Sequence, residues 1–365
     1  QTGYSTDVNG VFINNTFYTT NTGVSYLNPT TLVTQLNTAS TTLLTTGNLY
    51  IGNDVTATTS GNALKLAANG YIAVDGKVTL NNGNITVLSN ADGLTGASGG
   101  PIVITSATGG FVSGGGNIIL AGGDWNTTTG YAVGLNTAYN GTGGLGGLKE
   151  ADDAGVYIAG AVSSGGGTIT INGQEGTGTA DSAGVYVAAN GAIQGGGGSV
   201  TIKGLIGSDL TDTNASHRAF RMGSNTTNPS PTLTTTGNGN ITVTAVTSVA
   251  NNVGQQAILF ENSTISAVNG NINISAQPFS AGGLGMSLAQ TYDSLDEAMM
   301  AVRRLVQWRV ANAADVEPDA KHTLLVSFRL DLTQLPRPLQ MGAAGQSDWN
   351  IGVSKTQRLV LEPLR

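Results

Sequence analysis

The stretch Ala154-Gly155-Val156-Tyr157-Ile158, followed by Gly167-Thr168-Ile169-Thr170-Ile171, returns almost unchanged in the next thirty residues. It comes back as Ala183-Gly184-Val185-Tyr186-Val187 and then Gly198-Ser199-Val200-Thr201-Ile202. The second half of this unit, Gly-x-(Ile/Val)-x-(Ile/Val/Leu), also occurs at Gly83-Asn84-Ile85-Thr86-Val87 and Gly116-Asn117-Ile118-Ile119-Leu120. Two later copies are Gly239-Asn240-Ile241-Thr242-Val243 and Gly270-Asn271-Ile272-Asn273-Ile274. In most copies aliphatic residues alternate with Thr, Ser or Asn, the period of a strand with one buried face.

Working outward, Ala219-Phe220-Arg221-Met222 and Ala257-Ile258-Leu259-Phe260 are looser copies of the first half. A short apolar pair lies between the halves: Ala161-Val162, Ala192-Ile193 or Thr264-Ile265. Each unit therefore reads strand, short strand, Gly-rich corner, strand, variable loop. Nearer the N-terminus the units are tighter. Asn48-Leu49-Tyr50-Ile51 is followed by Tyr71-Ile72-Ala73-Val74, and Ala63-Leu64-Lys65-Leu66 by Asn84-Ile85-Thr86-Val87. Repeats of this length with two or three short strands suit a parallel β-helix, in which stacking buries an apolar face that one coil alone leaves exposed. Insertions such as 121–150 and 205–218 read as loops on one edge. Nine or ten coils at about 4.8 Å each predict a rod of about 45 Å. An antiparallel sandwich is the alternative; the ordered likeness of the repeats favours the solenoid. The Gly runs 165–167 and 195–198 read as corners, where Gly adopts positive φ and allows close backbone approach. A phosphate cradle would need a helix N-terminus behind the run, and the pattern shows none.

Composition excludes several function classes. Of 365 residues, 54 are Gly and none is Cys, so disulfides and Cys-ligated metals are ruled out. The 15 Lys and Arg against 22 Asp and Glu give a net charge of -7, which does not suit nucleic-acid binding. No apolar run reaches membrane-span length. The two histidines, His217 and His322, leave little for His-based catalysis. The 39% hydrophobic content, arranged in short runs, opposes disorder. The chain opens at Gln1 without a signal-peptide pattern, which reads as a processed product or a fragment.

The run Tyr26-Leu27-Asn28-Pro29-Thr30-Thr31-Leu32-Val33-Thr34-Gln35-Leu36-Asn37, then Thr45-Thr46-Gly47-Asn48-Leu49-Tyr50-Ile51 and residues Ser60 to Val74, resembles the repeat tracts of filamentous-haemagglutinin-like bacterial surface proteins. The resemblance covers about residues 25–278. It implies a right-handed parallel β-helix, secretion across the outer membrane, and an adhesive or structural role. Residues 1–24 read as a cap or an extended arm.

From residue 279 the composition changes. Residues 291–365 hold only 3 of the 54 Gly but 9 of the 15 basic residues. Ser294-Leu295-Asp296-Glu297 is a capping box. Behind it Leu295, Met299, Val302, Leu305 and Val306 share one helical face, with Arg303 and Arg304 off it. This predicts a helix over 294–312. Leu324, Val326, Phe328, Leu330 and Leu332 alternate as a strand, and Trp349-Asn350-Ile351 and Leu359-Val360-Leu361 read as two more. The motifs Tyr292-Asp293-Ser294-Leu295-Asp296-Glu297-Ala298, Phe328-Arg329-Leu330-Asp331, Gln334-Leu335-Pro336-Arg337-Pro338 and Gly345-Gln346-Ser347-Asp348-Trp349-Asn350 resemble the C-terminal part of an exported proteobacterial family of unknown function. The fold expectation is thus mainly β: a right-handed parallel β-helix over 25–278 with a small C-terminal α+β segment over 279–365. That segment reads as a cap, because an open solenoid end is a sheet edge.

Candidate chemistry is sparse. Asp152 and Asp181 each stand two residues before an Ala-Gly-Val-Tyr strand, with His217 and Gln255 as their expected equivalents. A carboxylate column of this kind would suit polysaccharide cleavage; the plainer reading is turn formation. Glu150, Asp152 and Asp153 offer oxygens for Ca²⁺ but lack a repeated Asp pattern. Tyr157 and Tyr186, read as exposed, would form an aromatic ladder for sugar faces or self-association, or simply pack across coils. Trp125 sits in an insertion as a contact or packing residue. The sequence therefore predicts a non-enzymatic structural or adhesive rod at a bacterial surface, self-associating into filaments or meeting glycan or protein surfaces. It predicts no cofactor, metal, nucleic acid or membrane span. A polysaccharide lyase or hydrolase is the alternative.

Overall fold

The computed structural model describes residues 10–13, 15–19, 27–91, 100–105, 107–123, 130–134, 154–176, 183–206, 217–223, 229–247, 256–276, 284–292, 325–330, 349–353 and 358–363. The chain winds through three sheets, contributing one strand to each per coil. The first coil is Leu49–Ile51, Val55–Ser60 and Leu64–Ala68; the second is Ile72–Val74, Lys77–Asn81 and Ile85–Ser89. Then follow Ile102–Ile104, Gly110–Val112 and Ile118–Gly122, and next Val156–Ile158, Ala161–Ser163 and Ile169–Gln174. The fifth coil is Ala183–Val187, Ala192–Gln194 and Val200–Ile206; the sixth is Arg218–Met222, Thr232–Thr235 and Ile241–Thr247. The seventh is Gln256–Glu261, Thr264–Ala267 and Ile272–Ala276. Strands at the same place in successive coils pair in parallel, forming sheets 1, 2 and 3 in the order a coil visits them. This is a parallel β-solenoid, as the repeat predicts.

The register reproduces the sequence repeat. In sheet 3, Ile118 pairs with Ile85 and Ile169, and Val200 with Ile169 and Ile241. In sheet 1, Val156 pairs with Val185, and Val185 with Phe220. The described residues form seven complete coils rather than nine or ten. At about 4.8 Å per coil the rod is about 34 Å long. Long insertions account for the difference: Ile118 and Ile169 are neighbours in the sheet although 51 residues apart in sequence. The inward column Leu64, Ile85, Ile118, Ile169, Val200 and Ile241 is buried, as are Phe111, Phe220 and Leu233.

Gly serves two separate purposes at the corner before sheet 3. Gly114, Gly115, Gly165 and Gly166 have φ between 65° and 142°, the left-handed region open to Gly. The Gly that opens each repeat copy has a different reason. A Cβ on Gly116 would stand 2.2 Å from the carbonyl oxygen of Gly83, and one on Gly167 2.3 Å from that of Gly116. The column continues through Gly198, Gly239 and Gly270, each against the carbonyl below. Beside it a hydroxyl is buried: Ser164 Oγ donates to Gly167 O at 2.5 Å and to Gly195 O at 2.9 Å.

The N-terminal end holds the element that the sequence reading missed. Pro29–Thr38 is a helix, with Asn28 Oδ1 accepting from Thr30 N at 2.8 Å and Pro at the first turn. Leu32 and Leu36 enter the solenoid core. The stretch quoted for its repeat resemblance is thus partly helical. Its Asn-Pro start and the Leu32, Val33, Leu36 spacing were the available signals. Four Thr residues masked them, since β-branched Thr favours strands. Here Thr34 and Thr38 donate their hydroxyls to carbonyls one turn back. Before coil 1, sheet 3 also takes in Thr41–Thr45 and the antiparallel pair Gly10–Ile13 and Thr16–Thr19.

Among the described residues, sheet 1 alone continues beyond the seventh coil. Leu284–Tyr292 pairs in parallel with Gln256–Glu261, and Leu325–Leu330 pairs in parallel with Leu284–Tyr292. Arg358–Pro363 and Trp349–Val353 follow in antiparallel. The three strands read from the sequence are therefore present, and they extend the solenoid's own sheet. The helix predicted over 294–312 lies outside the described residues.

Gly167→Ala is expected to destabilise the fold by about 2 kcal/mol or more, because stacked backbone cannot yield to a Cβ. Gly197→Ala, with nothing within 4 Å of the added atom, should change stability by less than about 0.5 kcal/mol. Urea unfolding followed by circular dichroism measures both.

Candidate functional site

The second residue of each short sheet 1 strand points away from the core. The register links Tyr50, Ala73, Val103, Tyr157, Tyr186, Arg221 and Leu259 into one outward column. Tyr157 and Tyr186 therefore do occupy equivalent positions of adjacent coils. Their rings meet edge to face, with centroids 5.3 Å apart and planes at 88°. Such a pair contributes about 0.5–1.5 kcal/mol beyond its area.

The expected exposure is corrected. Tyr157 is 6% exposed and Tyr186 2%. Both belong to a second apolar cluster outside the coil interior, with Ala73, Val103, Ala154, Ala183 and Ala188. An open ladder presented to sugars or to another rod is not what these rings form; they pack across coils. Strand alternation shows that a side chain leaves the lumen. It does not show whether that outer face is covered.

The column continues with charge. The Arg221 guanidinium carbon lies 4.5 Å from the Tyr186 ring centroid, a cation–π contact. Arg221 Nη2 also reaches Glu261 Oε2 at 3.5 Å, at the long limit of a hydrogen bond. Arg221 aligns with Tyr186 in the loose repeat copy, which was the signal for its place.

One coil edge holds a buried ion-pairing group. His217 Nδ1 donates to Glu175 Oε1 at 2.8 Å, and both side chains are almost wholly buried. The expected equivalence of His217 with Asp181 is corrected by one residue. Ala183 pairs with Arg218, so His217 falls one position before the partner of Ala183, whereas Asp181 falls two before Ala183. Asp152, Asp181, Glu150, Asp153, Gln255, Trp125, His322, Arg303 and Arg304 lie outside the described residues.

At the N-terminal edge of the column Tyr50 is 49% exposed. Its hydroxyl donates to Asp75 Oδ2 at 2.6 Å, one coil on. The hydrogen bond to Asp75, then burial, then the Asp75 charge push the Tyr50 phenol up to about 12. This pair offers an aromatic face beside a carboxylate. Among the described residues no three His, Asp or Glu side chains converge as a metal-ligand set. Nor is any described helix long and apolar enough to cross a membrane.

Residues 275–359 match the family model of DUF4390, a domain of unknown function. The match begins inside the last strand of the seventh coil, takes in the added strands Leu284–Tyr292, Leu325–Leu330 and Trp349–Val353, and ends at the start of Arg358–Pro363. It falls on the stretch whose sequence resembles an exported proteobacterial family. No curated protein and no solved structure matches the chain.

Asp75→Asn removes the charge that holds the Tyr50 proton. The phenol should then titrate nearer the ordinary value of about 10. Ultraviolet phenolate absorbance, with Tyr50→Phe as the reference, reads the difference. An unchanged Tyr50 titration would show that Asp75 does not control it.

Proposed function

We propose that the chain is the rod of an extracellular structural or adhesive protein of a bacterial surface, and that it makes its contacts through its sides. The observation that carries this reading is a broad, weakly charged face on sheets 2 and 3, dominated by Thr, Ser, Asn and Gln, with Lys65, Lys77 and Lys203 among its half-buried and exposed residues. On sheet 2 the outward column runs Thr56, Thr79, Val112, Ser163, Gln194, Thr234 and Ser266 in register. On sheet 3 the outward column runs Lys65, Thr86, Ile119, Thr170, Thr201 and Thr242. Each of these residues is half-buried or exposed. Hydroxyl and amide groups repeated at the coil spacing can exchange hydrogen bonds with glycans, or with a second sheet, at little desolvation cost.

Side-chain ladders keep this face regular. Asn117 N donates to Asn84 Oδ1 at 2.8 Å, Thr168 N to Asn117 Oδ1 at 2.8 Å, and Asn271 N to Asn240 Oδ1 at 2.7 Å. The resemblance to filamentous-haemagglutinin-like repeats supports the same role and a location outside the cell. End-to-end growth is disfavoured in this reading. A coil added at the N-terminal end would have to displace Leu32 and Leu36 from the core.

The test is binding to immobilised glycans and matrix proteins, with negative-stain electron microscopy of the same sample. Short single rods and saturable binding are expected. Thr170→Lys with Thr201→Lys should keep the fold and weaken binding at least several-fold. Long fibres of one coil width would overturn the lateral reading. Release of polysaccharide ends that is lost in Asp152→Asn or Asp181→Asn would make the chain an enzyme instead.

A further inference from the structure

The two ends of the solenoid are finished differently. The helix Pro29–Thr38 occupies the first. At the second, the strands Thr264–Ala267 and Ile272–Ala276 are the last of sheets 2 and 3 among the described residues. The buried inward column of sheet 3 ends at Ile272, which is 38% exposed. Ile265, Ala267, Ile274 and Ala276 pack on the core but are only partly buried. Val268 beside them is 65% exposed. Neither edge strand contains a charge or a Pro, the devices that ordinarily protect a sheet edge. This is an apolar face that needs an occupant.

The chain path names the occupant. Leu284–Tyr292 and Leu325–Leu330 are adjacent and parallel, with Ser287 opposite Leu325 and Tyr292 opposite Leu330. Residues 293–324 connect them. A parallel pair requires a crossover of about a dozen residues or more, usually a helix. In each of the seven coils that crossover runs through sheets 2 and 3. Successive parallel crossovers in one sheet keep one hand. A connection of the same hand would leave sheet 1 on the same side as the coils, over the end of the seventh. The capping box at Ser294 and the shared face of Leu295, Met299, Val302, Leu305 and Val306 suit a helix there. Over 294–312 such a helix spans about 28 Å, close to the about 30 Å of the nine-residue strand before it.

We propose that the exposed apolar end of the seventh coil is the docking surface for residues 294–312 of the same chain. The apolar face of that segment meets Ile265, Ile272 and Ile274, and Arg303 and Arg304 stay on the outer side. The C-terminal end is then finished by the chain itself, as the N-terminal end is, and the stretch matching DUF4390 supplies the covering element.

The absence of Cys makes the test direct. Ile272→Cys is combined in the full chain with Met299→Cys or with Val302→Cys, and a control pairs it with Arg303→Cys. Under mild oxidation at least one apolar-face pair should close within a monomer, several-fold faster than the control. Non-reducing electrophoresis and intact mass measure this. Free thiols persisting in both apolar-face pairs would overturn the proposal. So would a disulfide-linked dimer through Ile272→Cys, which would make a second copy the occupant. Hydrogen exchange of the unaltered protein is an independent check. Amides of 264–267 and 272–276 should be protected, and Val302→Asp should remove that protection. Exchange at the unprotected rate in the unaltered chain would also refute it.

Discussion

The structure depends on backbone stacking at the spacing of a parallel ladder. Each coil must place its strands, and also its corners, within hydrogen-bonding distance of the coil below. At the corner before sheet 3 this leaves no space for a Cβ between one coil and the carbonyl of the last. The Gly column from Gly83 to Gly270 meets that requirement. The aliphatic positions two and four residues after each of these Gly then fall in register and fill the interior. The repeat visible in the sequence is thus the record of a distance between backbones, and side-chain preference comes second.

That same constraint governs where variation is tolerated. Between strands of sheet 3 and sheet 1 the chain can leave the solenoid and return, so neighbours in the ladder of successive coils are separated by anything from 21 to 54 residues. Between sheets 2 and 3 the corner is short, because its carbonyls and buried hydroxyls bond the adjacent coil. Ser113, Ser164 and Thr235 occupy this corner in different coils, each donating its hydroxyl to the carbonyl of the repeat Gly. The Thr- and Ser-rich columns of sheets 2 and 3 bear on the proposed role more than any single residue.

Sheet 1 follows another logic. Its outward column is buried from Ala73 to Leu259, with Tyr186 in contact with Tyr157 on one side and Arg221 on the other. Sheet 1 is also the sheet that continues past the last coil into the stretch matching DUF4390. The two compositions of the chain therefore share one sheet.

The sequence by itself determined the solenoid and the three strands of each coil. Period-two alternation and the recurrent Gly are local consequences of a ladder repeated at one spacing. It also disclosed the three C-terminal strands, through alternation and apolar runs. Only the tertiary structure decided the number of coils, since loop length does not show which strands become neighbours. Only it placed a helix at Pro29–Thr38, where burial of Leu32 and Leu36 outweighs the strand preference of Thr. The burial of Tyr157 and Tyr186, the pairing of His217 with Glu175, and the contact of Tyr50 with Asp75 were equally absent from the pattern. Each depends on what covers an outer face or lies one coil away, and such contacts join residues distant in sequence that carry no shared local signal.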